Sequence, residues 1–219
     1  MTASAELPEP DVGWVDQEIQ AEFPGLRLRF VTVDARVGRS SRGIKQRMKT
    51  MSDRFHGAQA VTLRQDPVPW AYRVFYRHIG LDPDAQRTPI EEAAVQRLIR
   101  GGFRSENQLD DALLISLMET GVPIWALDAR GVEGPLGIRL AAEGERLGRS
   151  DTAPALPSGR IVVADQGSPL AVLFGELAPG HGVTSGTTAM TLFSLQVQGV
   201  PEIHVEEALW TCLSVLLES

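Results

Sequence analysis

The 219-residue sequence is poor in cysteine and in long apolar runs, and each scarcity excludes a class of protein. A single cysteine, Cys212, excludes an intramolecular disulfide framework and every zinc site built from several cysteines. No stretch approaches the roughly 18 to 20 consecutive apolar residues that cross a bilayer. The N-terminus is acidic and contains proline, the opposite of a secretion signal. We therefore expect a cytoplasmic protein that does not contact a membrane.

Common catalytic motifs are absent as well. The sequence has no Gly-x-Ser-x-Gly elbow, no His-Glu-x-x-His pair and no phosphate loop ending in Gly-Lys-Ser/Thr. The four histidines are scattered, so we predict no metal, no cofactor and no identifiable catalytic residue. Two local patterns remain open. Gly180–Thr188 predicts a strand connection or an anion cradle, and Glu143–Glu145 predicts a hairpin turn or a carboxylate pair for acid–base chemistry.

The net charge of −7 conceals a strong polarity along the chain. Residues 1–22 carry six acidic and no basic side chains, and residues 23–104 carry 16 basic and 7 acidic ones. Residues 105–219 carry 5 basic and 15 acidic side chains. Such asymmetry is typical of a half that faces a polyanion, or of two halves that attract each other. The total charge alone therefore does not identify the partner.

A cluster of cations in the first half predicts an RNA-binding surface. Residues 39–55 have the period of an amphipathic helix, with Arg42, Lys45 and Lys49 on one face. Exposed cations on one surface are what phosphate contacts require. The alternative is a solvated helix face that pairs with the acidic second half. The predicted RNA-binding residues are Arg36, Arg39, Arg42, Lys45, Arg47 and Lys49.

The order of predicted elements indicates an α+β fold. A short helix over 14–22 and a strand over 26–33 come first, and helices over 39–55, 70–79, 88–100 and 109–120 follow. Five short strand-like runs then occupy residues 123–197, and a helix over 202–217 closes the chain. Helices followed by strands, rather than strict alternation, are typical of the α+β class.

The second half resembles the editing domain of the phenylalanyl-tRNA synthetase beta chain, the B3/B4 domain, which also occurs in free-standing proteins. The resemblance covers about residues 65–217 and lies in the order and spacing of several segments. They are Asp111–Asp128, Arg139–Glu145, Val162–Asp165, Leu170–Glu176 and Gly182–Thr184, with a strand from Thr188 and entry helices at Tyr72–Gly80 and Thr88–Gly102. It implies a three-layer α+β fold with an unusual β-sandwich core. We predict an acidic lead-in and basic α/β segment over 1–64, and a B3/B4-like domain over 65–219.

The resemblance also implies a pocket and a function. In the synthetase this domain hydrolyses tyrosine wrongly attached to the phenylalanine tRNA. Here Trp125 stands where the synthetase has a histidine, Leu113 and Leu114 replace a polar Thr-Asn pair, and Glu176 is similar to the editing glutamate. The predicted pocket residues are Leu113, Leu114, Pro123, Trp125, Asp128, Glu176 and Thr188.

Two functions from different classes follow from this resemblance. The first is binding of tRNA or aminoacyl-tRNA, with hydrolysis of mischarged aminoacyl-tRNA in trans. Ester hydrolysis needs an oriented water and donors to the developing oxyanion, so the missing histidine does not exclude it. The second is an amino-acid or small-ligand binding module that has lost editing activity, which the apolar replacements at 113, 114 and 125 favour.

Overall fold

A computed structural model of the chain describes residues 7–55, 57–149 and 153–218. Within these ranges the chain forms eight strands and seven α-helices. The strands are β1 Asp11–Val12, β2 Trp14–Val15, β3 Arg27–Val33, β4 Ile124–Asp128, β5 Gly137–Leu140, β6 Ile161–Ala164, β7 Pro169–Val172 and β8 Met190–Gln196. The helices are α1 Gln17–Glu22, α2 Arg42–Arg54, α3 Gly57–Thr62, α4 Pro67–His78, α5 Pro89–Arg100, α6 Gln108–Thr120 and α7 Glu202–Leu216.

The chain divides into two compact units. The described part of the first unit is residue 7 with Val37–Ile124 and 197–218, and that of the second is Pro8–Arg36 with 125–149 and 153–196. Helices α2 to α7 belong to the first unit, and nearly all strand residues belong to the second. The sequence-based boundary between 64 and 65 stays a prediction.

The core of the first unit is the packing of α6 against α7. Apolar side chains three or four positions apart form the buried side of each helix, for example Ala112 with Ile115 on α6 and Leu209 with Leu213 on α7. The hydroxyl of the fully buried Ser116 donates a hydrogen bond of 2.7 Å to the carbonyl of Ala208. This bond satisfies a polar group that would otherwise destabilise the helix pair.

The ends of α5 follow from its sequence. Thr88 and Glu91 form the predicted capping box at its start, and Pro89 occupies the first turn, where a missing N–H costs nothing. Gly101 ends the helix at φ 73°, a left-handed conformation that glycine adopts without steric cost. The predicted bounds of α5 are thus confirmed.

The second unit contains two four-stranded sheets. The strand order is β1-β3-β8-β4 in one and β2-β5-β6-β7 in the other. The first depends on the antiparallel pair β3–β8, which is in register from Arg27 opposite Gln196 to Val33 opposite Met190. The second is mixed, because β2 runs parallel to β5 while β5–β6 and β6–β7 are antiparallel.

Apolar residues of the two sheets line one shared space. Trp125, Phe193 and Leu195 come from the first sheet, and Val163, Ala171 and Val172 come from the second. This arrangement is a β-sandwich, with its core between the sheets. Together with the helical first unit it confirms the predicted α+β class.

The predicted helix over residues 14–22 is wrong in its first part. Trp14 and Val15 form a short strand that pairs in parallel with Gly137 and Ile138, and α1 begins only at Gln17. The indole N–H of Trp14 donates to the carbonyl of Pro135 at 3.1 Å. Pairing with a segment more than 120 residues away overrides the local preference of this stretch.

Candidate nucleic-acid interface and predicted pocket

Helix α2 presents cations to solvent because its apolar residues are spaced to bury the other side. Ile44 and Met48 are almost completely buried, whereas Arg42, Lys45 and Lys49 are exposed. The hydroxyl of Ser41 caps the helix by accepting the N–H of Ile44 at 3.1 Å. The predicted shared face of Arg42, Lys45 and Lys49 is confirmed.

Two of the predicted RNA-binding residues are held in ion pairs. Arg47 donates from Nε and Nη2 to both carboxylate oxygens of Glu119 on α6, at 3.0 and 2.6 Å. Lys49 pairs with Asp53 one turn along α2, at 2.6 Å. Their charges are therefore largely compensated within the first unit.

The other cations near the start of α2 form no ion pair with the described residues. Arg39, Arg42 and Lys45 are exposed, and no carboxylate of the described residues lies within ion-pair distance of them. We call these three residues the α2 cation patch. Arg36, the remaining predicted residue, is exposed and belongs to the second unit.

One carboxylate lies beside this patch without pairing to its cations. Glu218 accepts a hydrogen bond from the hydroxyl of Ser41 at 3.2 Å, at the N-terminus of α2. A negative side chain is favourable there, because the partial positive charge of the helix dipole is at that end. A phosphate would compete for the same position.

Three of the predicted pocket residues belong to the first unit. Leu113 and Leu114 are consecutive on α6 and half-buried, and Leu114 lines a small cleft with Arg97 and Arg104. Pro123 is buried just before β4. The other four predicted residues, Trp125, Asp128, Glu176 and Thr188, belong to the second unit.

Trp125 fills the space that surrounds it in the sandwich. Its ring stacks on Phe193 with centroids 5.5 Å apart and meets Phe174 edge-on at 5.6 Å. The space that these rings share with Val163 and Leu195 is too small to hold a water molecule. Trp125 therefore has a packing role in this unit.

Asp128 is an anchor for the loop that precedes β8. Its carboxylate accepts hydrogen bonds from the guanidinium of Arg130 and, at 2.6 Å, from the hydroxyl of Thr187. These bonds hold the pKa of Asp128 well below its usual range. The Asp128 N–H also donates to the carbonyl of His181 at 2.9 Å, so both ends of the loop are attached to β4.

The loop itself is a strand connection rather than an anion cradle. The N–H of Thr184 donates to the hydroxyl of Thr187, and the N–H of Thr187 donates to the carbonyl of Thr184. The N–H of Gly186 donates to the hydroxyl of Thr184 at 3.2 Å. Because these donors are already used, they are not free for a phosphate.

Glu176 and Thr188 are both exposed. The backbone carbonyl of Glu176 accepts the N–H of Val172 at 2.9 Å in the turn after β7, which places its side chain on a loop. Among the residues that line the space beside Trp125, neither is present. Asp128 is thus hydrogen-bonded to the loop that contains Thr188, whereas Glu176 lies in a different loop, after β7.

The segment Glu143–Glu145 is a turn, but it does not close a hairpin, because β5 pairs with β6 and not with the residues that directly follow the turn. Gly144 has φ 74°, and the carboxylate of Glu145 accepts two hydrogen bonds from Arg139, at 2.7 and 2.5 Å. Arg139 thereby lowers the pKa of Glu145. A carboxylate held ionised in this way is a poor proton donor, which disfavours the acid–base interpretation.

No metal or redox site emerges from the described residues. No group of three His, Cys, Asp or Glu side chains in this part of the chain is placed to hold a metal ion. Cys212 is fully buried on α7, and burial raises its pKa to about 12, as expected for a structural thiol. A search of the same residues finds no helix both long and apolar enough to cross a bilayer.

Comparison with known families places the chain in one of them. A model of the family described as the B3/4 domain matches residues 71–200, which is more than half of the chain. The matched range runs from α4 through β8 and includes every predicted pocket residue. The chain belongs to the B3/4 domain family, as the resemblance predicted.

Individual relatives agree with this assignment. The chain is similar to the phenylalanine–tRNA ligase beta subunit of Haemophilus influenzae, with 40% identity over 102 residues, and to that of Colwellia psychrerythraea, with 35% over 118 residues. These matches cover 45% and 52% of the chain. They cover only 13% and 14% of those subunits, so the similarity concerns one part of each.

Sequence reasoning missed one open groove in the first unit. Met51 lies at helical spacing from Ile44 and Met48, which predicts that it packs on the apolar side of α2. In the structure Met51 is half-buried and lines a groove with Met118 of α6. Helical period groups Met51 with Ile44 and Met48, and period alone does not distinguish a residue that lines a groove from a core residue.

Proposed function

We propose that this chain binds tRNA, with aminoacyl-tRNA as the bound species, through the α2 cation patch. The observation that carries the proposal is that Arg39, Arg42 and Lys45 are exposed with no carboxylate of the described residues within ion-pair distance, whereas Arg47 and Lys49 are paired. Unpaired surface cations cost little to bring to a phosphate, because no existing ion pair has to be broken. The N-terminus of α2 adds a partial positive charge at the same place.

The family relationship supports tRNA as the nucleic acid. The relatives' name describes a subunit of a ligase that acts on tRNA, and the family model matches residues 71–200 of this chain. The net charge of −7 does not oppose this function, since exposed charges interact mainly within about 10 Å at moderate salt. The local patch, rather than the total, determines the attraction to phosphate.

Hydrolysis of mischarged aminoacyl-tRNA stays a prediction, and the residues of the second unit favour binding over turnover. Hydrolysis requires an oriented water molecule and a group that accepts its proton. The space beside Trp125 is too small for a water molecule, and the carboxylate of Asp128 already accepts hydrogen bonds from Arg130 and Thr187. The chain would then recognise charged tRNA without cleaving the ester.

Fluorescence anisotropy with labelled tRNA at several salt concentrations tests the proposal. The triple variant Arg39→Gln, Arg42→Gln, Lys45→Gln should bind more weakly at low salt. It should also lower the slope of log K against log salt by about two to three, since each phosphate contact contributes about 0.7 to 0.9.

A matched control removes three exposed cations elsewhere. Arg87, Arg100 and Arg160 are exposed, and the first two are paired with Glu92 and Glu106. Their replacement by glutamine should leave the salt slope near that of the unmodified protein. Equal loss of binding in both triple variants, or no salt-sensitive binding by the unmodified chain, would contradict the proposal.

Release of the amino acid from several mischarged tRNAs separates binding from hydrolysis. Retained ester on tRNA that binds the protein identifies a non-hydrolytic binder, and release above the spontaneous rate identifies a deacylase. The small-ligand alternative is tested by a thermal-shift screen of amino acids, because a ligand that binds the folded chain raises its melting temperature. A stabilising amino acid in the absence of tRNA binding would favour that alternative.

A further inference from the structure

An open groove lies between α2, the start of α3 and the end of α6 in the first unit. Its volume is about 550 Å³, within the range of small-molecule sites. Most of its lining precedes residue 71 and so lies outside the segment that matches the B3/4 family. The lining residues are Gln46, Arg47, Thr50, Met51, Arg54, Phe55, Gln59, Met118 and Glu119.

The floor of the groove is apolar and adaptable. Met51 and Met118 are half-buried, and Phe55 is nearly buried beneath the groove. Thioether side chains pack well against flat rings, because they are flexible and polarisable. This floor therefore suits a planar, mostly apolar group better than an extended polar chain.

The sides of the groove carry groups that both donate and accept hydrogen bonds. Gln46 and Thr50 line it from α2, and Gln59 lines it from α3. An amide and a hydroxyl offer donors and acceptors on one side chain. The amide of Gln46 and the hydroxyl of Thr50 match the mixed donor and acceptor edge of a nucleobase, whereas a purely hydrocarbon ligand offers them no hydrogen bond.

The charge of the groove selects an anionic ligand. Arg47 is neutralised by Glu119, while Arg54 is exposed and has no carboxylate of the described residues within ion-pair distance. Two turns of helix separate Arg47 from Arg54 along α2, about 10 Å at 1.5 Å per residue. A phosphate would therefore lie at the Arg54 end, away from Glu119.

The geometry points to a binding site for one unpaired nucleotide, with its base on the methionine floor and its phosphate at Arg54. The nucleotide is either free or one unit of a bound RNA strand, and only the second source rests on the function proposed above. Gln46 lies between the groove and the exposed side of α2 that carries Arg42 and Lys45. A strand held by the α2 cation patch could thus place one base in the groove.

Isothermal titration of the full chain with AMP, UMP, adenosine and inorganic phosphate tests the site. The nucleotides should bind more tightly than adenosine, and phosphate alone should give no measurable heat. Arg54→Gln should weaken AMP binding about tenfold or more, the usual range for a lost charge-assisted hydrogen bond. Met118→Ala should weaken both AMP and adenosine, and urea unfolding of each variant establishes that it is folded.

Arg42→Gln is the matched control on the same helix. It should leave AMP binding unchanged while lowering tRNA binding. The site is refuted by a lack of AMP binding up to about 10 mM, an affinity too weak to matter, or by equal AMP affinity in Arg54→Gln and the unmodified chain.

A short unpaired RNA separates the two sources of the nucleotide. Displacement of this RNA by AMP, together with weaker RNA binding in Arg54→Gln, identifies the groove as a strand site. AMP binding without any tRNA binding supports a free-nucleotide site and refutes the proposed function alone. Binding of tRNA without AMP binding refutes the groove site and leaves the proposed function standing.

Discussion

A buried arginine in the first unit supports a sharp prediction about stability. The side chain of Arg73 on α4 is only 5% exposed, and it donates hydrogen bonds of 2.5 Å to Asp84 and to Glu91. Glu91 is itself 13% exposed and also accepts the N–H and hydroxyl of Thr88 in the capping box of α5. Asp84 is 63% exposed. The three charges thus differ greatly in their access to water.

Replacing Arg73 by methionine keeps the length of the side chain and removes its charge. The carboxyl group of Glu91 would then lie in a nearly buried position without its cation. Breaking a buried pair in this way costs about 3 to 5 kcal/mol, because water no longer solvates the remaining charge. Asp84→Asn should change the free energy of unfolding far less, since the exposed Asp84 is solvated and screened.

Urea unfolding followed by circular dichroism measures these differences. The double variant Arg73→Met, Glu91→Gln should recover much of the stability lost in Arg73→Met, because glutamine retains the capping contact and carries no charge. The Nε atom of Arg73 has no hydrogen-bond partner among the described atoms, so its removal costs nothing further. Equal destabilisation by Arg73→Met and Asp84→Asn, or no recovery in the double variant, would refute this reasoning.

Three further predictions concern single side chains. Asp128→Asn should be less stable than the unmodified chain at neutral pH, and the difference should shrink as the pH falls below about 4. The reason is that the folded pKa of Asp128 lies below its unfolded value of about 3.9, so the stabilisation by its ionised form is lost as the carboxylate is protonated. Urea unfolding at several pH values measures this difference, and a difference that does not change with pH would contradict the prediction. Trp125→Ala should lower the free energy of unfolding by about 3 kcal/mol, since it leaves a cavity beside two phenylalanine rings in the sandwich; a loss under 1 kcal/mol in urea unfolding would show that the ring is not part of the core. Glu218→Gln should tighten tRNA binding and steepen its salt dependence, because it removes a negative charge from the N-terminus of α2; weaker binding in the anisotropy assay would argue against phosphate at that position.

Local signals predicted most of the helices and strands correctly. The capping box at Thr88 and Glu91, and the left-handed glycines at 101 and 121, fix the ends of α5 and α6 through contacts within a few residues. The period of β3 identifies a strand by itself, although its partner β8 lies more than 150 residues away. Helix ends and strands that depend on contacts within a few residues can therefore be predicted from the sequence.

Only part of the candidate site could be predicted from the sequence. The exposure of Arg42 and Lys45 follows from helical period, but the pairing of Arg47 with Glu119 does not, because the two residues meet only when α2 packs on α6. In the same way, the sequence shows only that Trp125 stands where the synthetase has a histidine. Its stacking on Phe193 could not be predicted, because it depends on how the strands of the sheet pair. The roles of the pocket residues in binding stay predictions.

The sequence by itself determined the family, the α+β class and the cationic face of α2, since each depends on order, spacing or period along the chain. Only the tertiary structure decided which charged side chains form ion pairs. The described part of the first unit carries 13 basic and 14 acidic side chains, and that of the second carries 8 and 12. The basic and acidic halves of the sequence are thus redistributed, because α7 folds onto α6 and β3 joins β8. Charge acts through space and solvent rather than along the chain, so the totals of the two halves of the sequence do not describe the surface that a partner would meet.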